Sequence, residues 1–174
     1  MQHFSFLLPI FFSILITGCL GMPEDVHPVD DFEVNRYLGK WYEIARLDHS
    51  FERGLSKVSA EYSMRDDGGI QVINQGYSRT KNEWKKAEGK AYFVEDKKQG
   101  HLKVSFFGPF YSSYIIFELD KPSYQYAFIS GYNNSYLWLL ARTPTVKPLV
   151  IDRFISHSKE LGFDTSGLIF VNQE

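Results

Sequence analysis

From Trp41 to Arg142 the chain repeats one pattern, short runs in which apolar and polar residues alternate, separated by turn residues. Val58, Ala60, Tyr62 and Met64 alternate with Lys57, Ser59, Glu61, Ser63 and Arg65, the period of two expected of a strand with one wet face. Asp66-Asp67-Gly68-Gly69 tolerates positive φ, so the chain turns back there into Ile70 to Arg79. Further runs follow at Trp84 to Glu95, His101 to Phe107, Ser113 to Asp120, Tyr124 to Gly131 and Tyr136 to Arg142. With Lys40 to Leu47 counted first, about eight strands joined by short loops predict an all-β, up-and-down antiparallel barrel.

Alternation also assigns faces. Glu88 and Lys90 belong in water, so Ala87, Gly89, Ala91 and Phe93 face inward; Lys103 and Ser105 point out, so Leu102, Val104 and Phe106 point in. Ala60, Tyr62 and Trp138 are assigned to the same lumen. A period nearer 3.6 appears once, between Thr145, a candidate cap, and Gly162, a candidate stop, with Pro148 in the first turn. Val146, Leu149, Val150, Phe154 and Leu161 form its apolar stripe, broken by Arg153 and His157. Ser113 to Leu119 and Tyr136 to Ala141 are apolar at nearly every position, which suits strands covered on both faces, by the lumen inside and this C-terminal α-helix outside. Leu168 to Val171 would add a short closing strand.

Composition and the N-terminal segment add further constraints. Fifteen Phe, eleven Tyr and three Trp make 17% of the residues, an aromatic load suited to sheet and to cavity lining. The formal net charge of −2 gives no field that would gather nucleic acid or an anionic membrane surface, so neither is an expected partner by charge. The segment 19–35 carries Pro23, Pro28, Glu24, Asp25, Asp30 and Asp31 without any period and reads as a tether to a domain at 36–174. Ahead of it, Phe4 to Ile16 is almost wholly Phe, Leu and Ile, yet shorter than the ~18 to 20 residues that span a bilayer, as in the core of an export signal at 1–18. Cys19 is the only cysteine, an odd solitary thiol for an exported chain.

Catalytic chemistry is poorly represented. The five histidines, His3, His27, His49, His101 and His157, show no metal-ligand spacing, and there is no Gly-x-Ser-x-Gly elbow. Asp30-Asp31 and Asp66-Asp67 suit tether and turn. The expectation is a non-enzymatic protein without metal or cofactor.

Two sets of motifs carry a resemblance. Ile16-Thr17-Gly18-Cys19 resembles the bacterial lipoprotein signal, which implies cleavage before Cys19 and a mature N-terminus that is N-palmitoylated and S-diacylglycerol-modified. Gly39-Lys40-Trp41 resembles the first lipocalin motif and Tyr136 to Pro144, with Arg142, the third; Leu119-Asp120 is a partial second. With Lys103 to Tyr111 and Gly162-Phe163-Asp164, the chain is similar to the bacterial outer-membrane lipocalins, relatives of apolipoprotein D. The resemblance implies an eight-stranded lipocalin barrel with the helix on its outside, and a floor of Gly39, Trp41 and Arg142 with the guanidinium laid across the indole.

It further implies a carrier or store for fatty acids or lysophospholipids, linked to membrane maintenance under stress. Such a protein would be anchored through Cys19 to the periplasmic side of the outer membrane, where Leu20 after the cysteine, in place of Asp, would direct it. Nucleic acid is not an implied partner; a homodimer is admitted. If the first strand runs up from the floor, the loops 48–56, 80–83, 108–112 and 132–135 share a rim, and Phe51, Arg53, Phe110, Tyr111 and Tyr132 form an apolar and cationic mouth suited to an amphiphile. A partner-binding envelope lipoprotein with a filled barrel is the competing expectation.

Overall fold

The computed structural model describes residues 20–174; the expected signal segment and Cys19 lie outside the described residues. A single helical turn, α1 (Val34–Tyr37), leads into β1 (Gly39–Arg46), followed by β2 (Leu55–Met64), β3 (Ile70–Ser78), β4 (Glu83–Phe93), β5 (His101–Phe107), β6 (Phe110–Leu119), β7 (Tyr126–Ser130) and β8 (Leu137–Ala141). Each strand pairs antiparallel with the next, and β1 pairs with both β2 and β8, so the sheet closes on itself. Closure removes the edges that an open sheet would expose. Two-residue β9 (Ile169–Phe170) joins the outside of β1 opposite Ala45 and Arg46.

The alternation sorts side chains into two cores. Trp41, Ala60, Tyr62, Ile70, Val72, Ala91, Leu102, Ile116, Ile129 and Leu140 meet inside the barrel. Their sequence neighbours Ile115, Phe117, Phe128 and Leu139 point out and join Phe154 and Phe163 in a second cluster. This is why β6 to β8 lack a polar phase: both faces are dry.

The helix α2 (Pro148–Glu160) covers that outer wall, with Phe154 and Ser158 buried. Two expectations about it fail. Its N-cap is Lys147, in extended conformation and without a side-chain cap, and the Thr145 carbonyl instead accepts from Thr143 Oγ1. Leu149 is 77% exposed, although Val146 and Val150 on either side of it pack against the outer cluster. Arg153 and His157, which interrupt the stripe, both bond Glu118 on β6, His157 Nδ1 at 2.6 Å. The interruption is an electrostatic clasp between helix and wall.

The segment expected to be a tether is bound to the barrel for half its length. Val26 and Phe32 are buried. Val29 N–H donates to the Ile116 carbonyl and the Val29 carbonyl accepts from Gly100 N–H, each at 2.8 Å, and Phe32 N–H donates to the Lys98 carbonyl at 2.8 Å. The segment has no hydrophobic period because it crosses strand ends and makes isolated contacts.

Candidate functional site

At one end the barrel is plugged. Trp41 is fully buried, and its indole N–H donates to the Tyr37 carbonyl at 2.8 Å. Arg142, at the end of β8, stacks with its guanidinium carbon 4.0 Å from the indole centroid. The same guanidinium donates to the carbonyls of Tyr124 at 3.3 Å, Lys40 at 3.0 Å and Arg36 at 2.6 Å. One side chain thus ties together the N-terminal turn, the start of β1 and the loop before β7. Gly39 adopts φ +90°, a conformation costly for other residues, and lies beside Arg142, 3.5 Å from the place a Cβ would take. The motif's glycine and arginine meet at the tryptophan.

Above the floor the wall is two-sided. Ala60, Tyr62, Ala91 and Leu102 are buried in the interior, with Phe93, Val104, Phe106 and Trp138 packed against them. Small residues do not all leave free space here: a Cβ on Gly89 would stand 2.8 Å from the Phe106 ring, so Phe106 occupies the room that glycine gives up. Tyr114 Oη bonds both Tyr37 Oη at 2.7 Å and Tyr62 Oη at 2.9 Å, a chain of phenols across the lower lumen. Burial raises all three phenols above their ordinary range, so they stay neutral.

The opposite wall carries a charged cluster that alternation alone does not find. Glu43 shares the inward phase of Trp41, and Arg46 joins it because a bulge between Glu43 and Ala45 reverses the phase of β1, so that Arg46 lies opposite inward Trp138. Arg46 Nη1 bonds Glu43 Oε1 at 2.7 Å and Nη2 the Glu52 carbonyl at 2.8 Å, while Trp138 Nε1 donates to Glu52 Oε2 at 3.0 Å. Arg46 Nε is buried without a partner. Burial and then the neighbouring Glu52 push the Glu43 carboxyl up against the pull of Arg46, and burial also raises Glu52. Two buried carboxyls facing one guanidinium are best satisfied by retaining one proton. His49, stacked against Phe51 and Tyr136 at 5.3 and 5.0 Å and tilted against Trp138 at 4.7 Å, is pushed down to about 4, by burial first and by the charge of Arg46 second.

The other end is open to solvent and more aromatic than cationic. Phe51 and Phe110 are exposed, and Tyr132 lies against Tyr136 with ring centroids 5.1 Å apart. Arg53, expected as a free rim cation, is instead bound to Asp48, Nε to Oδ2 at 2.9 Å. Tyr111, also expected at the mouth, shares the outward phase of Ser113 and turns to the outer wall, with Lys103 Nζ 5.4 Å from its centroid.

A closed antiparallel barrel, plugged at one end by a tryptophan and an arginine and open at the other over a part-apolar, part-polar interior, defines the class of small β-barrels built around a lumen. The family model described as a lipocalin-like domain matches residues 32–173. The chain belongs to the lipocalin family. It is 67% identical over 165 residues to outer membrane lipoprotein Blc of Vibrio cholerae, covering 95% of this chain and 96% of that one. Outer membrane lipoprotein Blc of Escherichia coli K12 is 50% identical over 163 residues, 92% of each chain. Among solved structures, insecticyanin of the tobacco hornworm Manduca sexta superposes with a TM-score of 0.69 over 87% of this chain and 86% of that one, at 24% identity, a likeness of fold.

Proposed function

We propose that the protein is an outer-membrane lipoprotein, anchored through Cys19 on the periplasmic side, that stores or transports fatty acids or lysophospholipids in its barrel for membrane maintenance under stress. The supporting observation is the two-sided lumen: an apolar wall of Ala91, Phe93, Leu102, Val104 and Phe106 faces a wall bearing Glu43, Arg46 and Glu52. An acyl chain suits the first wall, and the polar end of an amphiphile suits the second. Each buried methylene is worth about 0.8 kcal/mol, so a chain of about a dozen contributes roughly 10 kcal/mol against a capture cost of about 4–15 kcal/mol. The names of the bacterial relatives support the compartment. The protein acts as a carrier and not as a catalyst: radiolabelled lysophospholipid incubated with it should be returned intact.

The test is a titration with lysophospholipids of increasing chain length, alongside native mass spectrometry of the purified protein. Affinity should rise with each added methylene, and a lipid adduct should be retained. Affinity independent of chain length would mean a filled barrel that works through its surface, a reading favoured locally by Phe106 filling the space at Gly89. Anchoring is tested separately: Cys19→Ala should abolish palmitate labelling and membrane fractionation.

A further inference from the structure

Among the large apolar side chains exposed in the described residues, Met64 and Leu149 stand apart, whereas four aromatic ones gather at one end of the barrel. Phe51 on the β1–β2 loop is 61% exposed, Trp84 at the start of β4 57%, and Phe107 and Phe110, paired across the β5–β6 hairpin, 83% and 64%. Strand direction puts all of them around the open mouth, on three separate connections, and a monomer seldom leaves so much aromatic surface in water. The N-terminal segment leads to the same end. Gly21 lies beside the Tyr132 carbonyl, 3.8 Å from the place a Cβ would take, in the loop between β7 and β8. Partly exposed Leu20 and Met22 flank it. From there the chain passes Val26 in the outer core and reaches the closed end at Val29 and Phe32. The residue bonded to Leu20 is Cys19, so an anchor there holds the mouth end, and not the plugged end, close to the bilayer.

We propose that the aromatic rim is a membrane-docking surface that seats the open mouth on the phospholipid leaflet, with Phe51, Trp84, Phe107 and Phe110 in the interfacial zone. The proposal rests on the anchoring reading and adds to it an orientation and a contact surface. Amphipathic and aromatic rings are favoured at the level of lipid head groups. Exposed Arg79, Lys81 and Lys85 flank Trp84 and supply local cations for phosphate, although the whole chain carries a net −2. Rings spread around the circumference of a mouth suit a plane, and the cations beside Trp84 disfavour a second copy of the same surface. A mouth seated in this way passes a lipid between leaflet and lumen without exposing its chain to water.

The experiment uses the acylated protein in vesicles of phosphatidylethanolamine and phosphatidylglycerol whose acyl chains carry bromine, with tryptophan emission as the readout. Trp41 is buried and Trp138 largely so, leaving Trp84 to report the rim. Bilayer bromines should quench a component of the emission that is absent in Trp84→Phe; equal quenching with and without Trp84 would overturn the proposal. Brominated lysophospholipid without vesicles reads the lumen through the other two tryptophans, so failure of lipid capture is seen independently. In a second arm, Trp84→Asp/Phe107→Asp in an unacylated Cys19→Ser chain should reduce vesicle flotation about tenfold or more. Unchanged flotation would overturn the proposal, as would a sedimentation mass of two chains that falls to one in this variant, which would give the rim to a second copy.

Discussion

If the floor is a single plug, Trp41 and Arg142 must be energetically coupled, and the geometry sets how strongly. Trp41→Ala removes a fully buried indole and its bond to the Tyr37 carbonyl, a loss of about 3–5 kcal/mol for a large aromatic residue. Arg142→Ala removes the guanidinium 4.0 Å from the indole centroid, worth about 0.5–2 kcal/mol. It also removes three bonds to backbone carbonyls. The Lys40 and Arg36 bonds are exposed and their carbonyls can rehydrate, while the Tyr124 bond is part-buried, so about 0.5–1 kcal/mol each is a fair value. Arg142→Ala therefore costs about 2–5 kcal/mol, and Arg142→Lys nearly as much, because a lysine cannot reach three carbonyls at once. The double variant should be less destabilised than the sum of the singles by about 1–2 kcal/mol, since either change removes the stacked contact. Urea unfolding followed by far-ultraviolet circular dichroism measures all four corners of the cycle without relying on tryptophan emission. Losses that add within about 0.3–0.5 kcal/mol would refute the coupling, and a mild Arg142→Lys would refute the part assigned to the carbonyls.

Phe106→Asp puts a carboxylate against the apolar wall, where desolvation costs several kcal/mol or draws water in; binding of long-chain lysophospholipids should fall steeply, read by displacement of a fluorescent fatty acid. His49 has a folded pKa of about 4 against about 6.5 unfolded, so its contribution is complete above pH 6.5 and is lost as the pH falls toward 4. The full shift would be worth about 3 kcal/mol, reduced to about 2 by water near the mouth, and raised Glu43 opposes it; His49→Phe should lessen the acid loss of stability between pH 6.5 and 4, measured as urea midpoints. Glu118→Gln removes the carboxylate that holds both Arg153 and His157, and should cost about 1–2 kcal/mol with a weaker dependence on salt, read by thermal unfolding at low and high ionic strength.

The barrel was legible because its signal is periodic. Leu102, Val104 and Phe106 alternate with Lys103 and Ser105; Leu102 is buried in the interior cluster with Val104 and Phe106 packed against it, while Ser105, read as facing water, is itself buried. The near-continuous apolar run of β6 announced a second covered face in the same way. What escaped depends on breaks in the period. Arg46 faces in only because of the bulge beside Glu43, and its partner Glu52 comes from a loop, where no alternation applies. The crossing of Val26 to Phe32 is held by backbone bonds that any sequence could make, and its prolines and acids mask the two buried apolar anchors. Tyr111 and Arg53 show a third limit: strand order assigns a residue to an end of the barrel, but neither its side of the wall nor its ion-pair partner.

The row of phenols in the lower lumen has an arithmetic of its own. Tyr37, Tyr114 and Tyr62 bring three O–H donors, and the two links between them consume two. One hydroxyl proton is left over in every arrangement of the chain, and because burial keeps all three phenols neutral, a change of pH near neutrality does not remove it. Such a donor costs about 1–3 kcal/mol wherever neither a neighbouring group nor water reaches it. Were the proposed lipid to reach this depth, a methyl end would leave that cost in place and an oxygen would relieve it. On the proposed carrier reading, the base of the barrel would therefore distinguish occupants by how far they descend and by what their far ends are made of.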